Sequence, residues 1–265
     1  DISVFARWGF PTDRGDFEGN IGENSTIEFD GVEYNFDPDL GGNSEFKMEE
    51  YVNRCAESMM RKAMLTRPSI IHSASDHTIG IASAMVSKSL GIPFVYEMRG
   101  IWALSRVANN PRFRFDPRFR ILLSLERQCA EAADIVITLS DAMKEMIAGW
   151  GIKRDRIVVV PNGVSAEEMA PVKKDTGLVN DLGIEGKVVF GYIGSIVPYE
   201  GLGLLVEALG NIPKKKREKM RFIIVGDGTD RSRLESMVME SDLEKSFIFT
   251  GRVPHDEIGS YYSII

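Results

Sequence analysis

Short apolar runs alternate with stretches of helical period along most of this chain. Ile2–Ala6, Ser69–His72, Pro93–Glu97, Ile135–Thr138 and Ile157–Val160 are runs rich in Ile and Val, the pattern of strands buried on both faces. Between them, Glu45–Thr66, Thr78–Leu90, Arg118–Ala132 and Asp141–Trp150 are amphipathic and of helical length. Gly91 stands where a helix C-cap belongs, with Pro93 just beyond it, and Ser140 stands where an N-cap belongs. Phe29–Asp30–Gly31–Val32 reads as a tight turn between two short strands.

A second series follows a less regular stretch. Lys187–Ile193, Arg221–Val225 and Phe247–Thr250 read as strands, and Ser263–Ile265 as the start of a fourth. Helices are expected near Leu202–Gly210, Ser232–Ser241 and Asp256–Tyr262. Strand–helix alternation of this kind means parallel sheets covered on both faces. Two such series, joined by Pro161–Asn162–Gly163 and the segment to about Asp175, predict two α/β domains at residues 1–163 and 164–265. The second series is short for a doubly wound sheet. The first opens without a glycine-rich strand-to-helix turn, and no initiator Met is present, so the pattern reads as a piece of a longer protein.

Composition narrows the class. An apolar fraction of 43% and a charged fraction of 27% are ordinary for a globular protein. The net charge of −7 argues against a general nucleic-acid binder, which needs a basic face. Residues 1–50 carry 13 acids against three bases, a solvated acidic surface. Cys55 and Cys129 stand alone, which fits reduced thiols in a cytosolic protein. Three histidines suggest no transition-metal cluster, and no run near 18 apolar residues offers a membrane span.

Chemistry in open parallel sheets gathers at the carboxyl ends of strands. The first such loop of the second series is Gly194–Ser195–Ile196–Val197–Pro198–Tyr199–Glu200–Gly201, which ends at a helix N-terminus suited to an anion such as a diphosphate. The next strand ends in Gly226–Asp227–Gly228, where glycines let a ligand approach the backbone. Taken singly, each loop reads equally well as a turn. In the first series the loop Ser75–Asp76–His77 occupies the corresponding place; His72 reads as a core or a site residue.

In order, these runs carry a resemblance. GYIGSIVPYEGLGLLVEAL, FIIVGDGTDRSRLE and FIFTGRVPHDEIGSYYS are similar to the donor domain of family-4-type (group 1) retaining glycosyltransferases of the GT-B fold. IIHSASDHTIGIASAMVSKSLGIPFVYEMRGIW, AADIVITLSDAMKEMI and IVVVPNGV resemble that family's acceptor-domain signatures, and ARWGFPTDRGD its early segment.

The resemblance implies two Rossmann-like domains facing across a cleft, the second incomplete. It implies transfer of a hexose or N-acetylated sugar, with retention, from a nucleotide-diphosphate sugar to a glycan or lipid-linked acceptor, with no bound metal. Gly194, Ser195, Tyr199, Glu200 and Gly201 would line the diphosphate, Gly226, Asp227 and Gly228 would flank the donor, and Arg252 and Val253 would lie near the base. Ser75, Asp76, His77, Arg99 and Trp102 would serve the acceptor side.

Three positions depart from the pattern. Ser195 and Glu200 stand where the family commonly has Arg and Lys, removing two charge-assisted contacts to phosphate. Arg99 stands where many members carry His; it reads as a catalytic or phosphate-side cation or as a salt bridge to Glu97 or another acid. Trp102 reads as a sugar-stacking or a packing residue. The family's two-glutamate motif would fall after Ile265, and the 265-residue piece alone is expected to be inactive. A sugar-nucleotide epimerase and a non-catalytic nucleotide-sugar-binding remnant stay open as alternatives. Arg106–Arg120, with five arginines and three phenylalanines, reads as an ordinary solvated loop or as a surface that meets anionic membrane, and the protein is expected in the cytoplasm, with peripheral contact at the inner membrane face under the second reading.

Overall fold

The computed structural model describes residues 2–10, 26–37, 47–167 and 169–265. The chain forms two units, Asp1–Val107 with Arg112–Asn162, and Gly163–Ile265 with Ala108–Pro111.

In the first unit, β1 (Ser3–Phe5), β2 (Thr26–Phe29) and β3 (Val32–Asn35) form a small sheet in the order β1-β3-β2. β2 and β3 are an antiparallel hairpin whose turn residues, Asp30 (φ 50°) and Gly31 (φ 73°), are both left-handed. That is the twist-matched two-residue turn expected of Asp-Gly. The first apolar run therefore does not open the main parallel sheet: β1 pairs with β3, and Ile2 is exposed, because the hairpin it joins is itself largely exposed, β2 along its whole length.

The main sheet is β4 (Ile71–Ala74), β5 (Phe94–Met98), β6 (Ile135–Thr138) and β7 (Ile157–Val159), all parallel and in sequence order. Helix α1 (Met48–Thr66) leads into β4, and α2 (His77–Leu90), α3 (Trp102–Asn109), α4 (Pro117–Ala132) and α5 (Asp141–Gly149) connect the strands of this sheet. Gly91 ends α2 at φ 68°, and the Ser140 hydroxyl accepts the Met143 amide at 3.3 Å, as a C-cap and an N-cap should. The core is continuous from Val52 and Cys55 on α1 through Val86, Phe94, Tyr96 and Val136 to Ile147. The stretch Arg106–Arg120 is not an open loop. It is the end of α3, a 3-10 turn (Pro111–Phe115) and the start of α4, with Arg106 and Arg118 each over the Phe113 ring.

The second unit contains α6 (Thr176–Asp181), β8 (Val188–Ile193), α7 (Leu202–Gly210), α8 (Lys214–Arg217), β9 (Met220–Val225), α9 (Arg231–Glu240), β10 (Phe247–Gly251) and α10 (Ile258–Ser263). Its parallel sheet runs β10-β9-β8. The period of two on β9 divides the core. Phe222 and Ile224 face Val206, Leu209, Leu234 and Val238 of α7 and α9, while Ile223 and Val225 face Val179 of α6 and Ile264. A fourth strand at Ser263–Ile265 does not form. Ser263 closes α10, its hydroxyl accepts the Asp175 amide at 3.0 Å, and Ile264 is buried on the sheet face. Two β-branched residues at a helix end imitate a strand start, and burial decides between them.

Candidate functional site

The second unit brings its glycine loops together by backbone contact. At the carboxyl ends of β8, β9 and β10, Gly194 N–H donates to the Val225 carbonyl (3.0 Å) and Gly226 N–H to the Gly251 carbonyl (2.8 Å). Ile196 N–H donates to the Asp227 carbonyl and Asp230 N–H to that of Ile196, both at 3.0 Å. The loops lie so close that side chains have no room. A Cβ on Gly226 would lie 2.0 Å from the Gly194 carbonyl oxygen, and one on Gly228 would lie 2.2 Å from that of Ile196. Gly226 also needs φ 132°, a conformation left to glycine.

Gly194 and Ser195 are exposed on this edge, and Tyr199 is half-exposed on the 3-10 turn Pro198–Glu200. Gly201 (φ 73°) then begins α7 without a capping side chain, and its own carbonyl accepts the Leu204 amide at 2.9 Å. Tyr192 braces the loop from β8, its hydroxyl donating to the Ser195 carbonyl at 2.9 Å. Burial, and then the charge of the Glu200 carboxylate, raise the Tyr192 pKa. Asp227 accepts the Gly228 amide at 2.8 Å and lies 3.8 Å from Arg231, which itself binds Glu235. Arg252 is exposed just after β10, and Val253 packs on the α6 side of the core. Sequence reasoning missed Tyr192; its signal was an aromatic hydroxyl two residues before a loop glycine.

The first unit has its own cluster. Ser75 sits at φ 84°, unusual for a residue with a Cβ, and is held by its amide on the Glu97 carbonyl and by the Tyr96 hydroxyl on its own carbonyl (2.8 Å). Asp76 caps α2, accepting the amides of Thr78 (2.8 Å) and Ile79 (3.1 Å). His77, the first residue of α2, is buried with no partner for Nδ1, and burial lowers its pKa. Arg99 donates from Nε to Glu97 at 2.7 Å, and His72 meets the other Glu97 oxygen at 3.0 Å, so the salt bridge among the alternatives for Arg99 is present. Arg99 remains 57% exposed, which keeps its guanidinium accessible. Trp102 is half-exposed at the start of α3.

Glu126 escaped the sequence reading. It lies on α4 in register with Leu122, Leu123, Cys129 and Ala130, an acid inside an apolar stripe, and that spacing was its signal. Its side chain is 1% exposed, and burial pushes its pKa up to about 7 against the opposing pull of the Trp102 and Ala103 amides. Part of the segment resembling the family's early motif, residues 11–16, lies outside the described residues. Among the described residues, no three His, Cys, Asp or Glu side chains are grouped as metal ligands, and no helix is long and apolar enough to cross a membrane.

Two family models match the chain: Glycosyltransferase Family 4 over residues 37–168 and Glycosyl transferases group 1 over residues 178–265. The chain is similar to the 2-deoxystreptamine glucosyltransferase of Streptomyces kanamyceticus, 29% identical over 188 residues, covering 67% of this chain and 46% of that protein. It spans about half the length of the curated relatives it matches. Among solved structures, sucrose-phosphate synthase of Thermosynechococcus elongatus has a TM-score of 0.75 at 18% identity, covering 99% of this chain and 63% of that one. Anabaena HepE in complex with UDP-glucose has a TM-score of 0.63 at 20% identity, covering 88% and 58%. These likenesses show a shared α/β fold with parallel sheets, the GT-B fold.

Proposed function

The chain belongs to the family 4, group 1 glycosyltransferases, and from that premise we propose that it is part of an enzyme moving a sugar from a nucleotide-diphosphate sugar to a glycan or lipid-linked acceptor. The observation that carries this reading is the lacing of Gly194–Ile196, Gly226–Gly228 and Gly251 at one sheet edge, beside the uncapped start of α7. In this reading the loops form a close-packed backbone floor, and the positive end of the α7 dipole would hold a diphosphate on it and stabilise its charge as the sugar departs. Gly194, Ser195, Tyr199 and Gly201 take the diphosphate side in this reading, and Asp227, Arg252 and the Val253 backbone the rest of the donor. Ser75, His77, Arg99 and Trp102 serve the acceptor, with Asp76 shaping their loop as the α2 cap.

The reading includes a hexosyl or N-acetylhexosaminyl donor, retention at the anomeric carbon and no resident metal. Calorimetry with UDP, GDP, ADP and dTDP tests the donor side: one nucleotide should bind saturably, and uniform absence of binding would refute it. Anomeric analysis of the product by NMR tests retention, and activity abolished by a chelator would overturn the metal-free part.

One observation favours a second reading, a non-catalytic nucleotide-sugar-binding remnant. Glu200 puts a carboxylate in the loop where the family commonly has a cation, and its charge acts on Tyr192. Binding without turnover in the full-length protein would support that reading; turnover would exclude it.

The proposal extends to peripheral contact with anionic lipid on the cytoplasmic face. Phe115 is 87% exposed between Arg114 and the Asp116–Arg118 pair. Liposome sedimentation should show binding that rises with anionic lipid content, and binding independent of that content would contradict it.

A further inference from the structure

The segment that leaves β5 toward the candidate acceptor side is fastened at two points. At its start Arg99 is held by Glu97 through a 2.7 Å bond. At its end the Trp102 amide donates to Glu126 Oε1 at 2.6 Å, shorter than the usual N–H···O distance. Between these points Ile101 is buried, and just beyond them Ala103 is fully buried, so the backbone is pinned while the Arg99 and Trp102 side chains stay accessible.

Glu126 is poorly suited to a purely structural part. It lies on a core face of α4 where leucine would pack without desolvating a carboxyl group, and its Oε2 has no hydrogen-bond partner. The ionisable groups around it are Asp76 from the loop before α2, Tyr96 from β5 and Cys129 on its own helix, and none of them supplies a cation. The favourable contacts available to this acid are the amides at the start of α3.

We propose that Glu126 is a positioning residue: it holds the Arg99–Trp102 segment, through the first amides of α3, in the arrangement that the acceptor side of the reaction uses. The assignment rests on the transferase reading for its purpose and on geometry alone for its mechanism. Glutamine keeps one oxygen for the Trp102 amide. Leucine keeps the volume, removes the acceptor and suits the apolar surroundings, so it separates local order from global stability.

The test is residue-resolved amide hydrogen exchange on this chain as wild type, Glu126→Gln and Glu126→Leu, with UDP affinity measured alongside. In the Leu variant, protection of the Trp102 and Ala103 amides should fall at least tenfold, while the Phe94–Met98 strand amides stay within threefold of wild type. Compared at pH 5, where the folded wild type holds Glu126 protonated, the Gln variant should stay within threefold at all these positions. The proposal is overturned if Leu leaves Trp102 and Ala103 protected, if Gln loosens them as much as Leu, or if the strand loses protection equally. Loss of UDP affinity in the Leu variant alone would also overturn it, by removing Glu126 from the acceptor side. If UDP fails to bind wild type, the transferase reading loses support while the exchange result still decides what Glu126 holds.

Discussion

Gly226→Ala asks of the candidate donor loops a displacement that the structure measures. The added Cβ would lie 2.0 Å from the Gly194 carbonyl oxygen, whereas ordinary contact begins at 3.4 Å, so the two loops must part by about 1.4 Å. Movement on that scale breaks the 3.0 Å bonds from Gly194 N–H to Val225 and from Ile196 N–H to Asp227. Each is worth roughly 0.5–1.5 kcal/mol, and forcing φ 132° on alanine costs about 1–3 kcal/mol more. The expected loss is about 2–6 kcal/mol.

Two other glycines of the same unit separate these contributions. Gly186→Ala carries positive φ (67°) in open space and should lose about 1 kcal/mol. Gly210→Ala, in open space at the end of α7 without positive φ, should be neutral or stabilising by up to about 1 kcal/mol. Urea unfolding followed by far-UV circular dichroism gives the three values. The tryptophans, Trp8, Trp102 and Trp150, all lie in the first unit, so their fluorescence reports that unit as an internal control. A Gly226→Ala loss no larger than that of Gly186→Ala would refute the claim that these loops are in backbone contact.

Three further outcomes follow from the first unit. The Glu126 pKa is raised to about 7 in the fold, so the folded state binds the extra proton and stability is lost as pH rises from the ordinary carboxylate range through 7. Glu126→Gln removes that loss, and urea midpoints against pH should show it gaining on wild type by on the order of 2–3 kcal/mol between pH 4.5 and 7.5, then running parallel; a constant offset would contradict this. Asp76→Ala should cost about 1 kcal/mol by the same assay through the lost α2 cap, with Asp76→Asn retaining most of it. Arg99→Gln should cost less than about 1 kcal/mol, since its bond to Glu97 is largely exposed, yet lower turnover of the full-length protein at least tenfold; unchanged turnover would leave Arg99 with the salt bridge alone.

The elements were legible where local signals agreed with packing. Ile135–Thr138, Leu202–Gly210, the Gly91 and Ser140 caps and the Asp30–Gly31 turn all announce themselves by period, cap chemistry or turn type. The errors came where tertiary packing decided. Ile2–Ala6 has strand composition but joins a separate sheet, and Ile264 is buried as the end of a helix. Helix α3 was hidden because its start is capped by Glu126, 24 residues away. The candidate donor loops were visible as glycines after strands, but their necessity lies in one loop meeting the next, a contact invisible in one dimension. Asp76, by contrast, was visible as a loop acid, and the structure employs its carboxylate on the α2 amides.

The central claim is that the glycine-laced edge of the second unit binds a nucleoside diphosphate, and titration calorimetry of wild type and Gly226→Ala against UDP, GDP, ADP and dTDP tests it most directly. The account predicts one-to-one binding of at least one nucleotide to wild type, weakened at least tenfold in Gly226→Ala while the first unit stays folded by tryptophan fluorescence. Absence of binding by all four, or equal affinity in the variant, would contradict it.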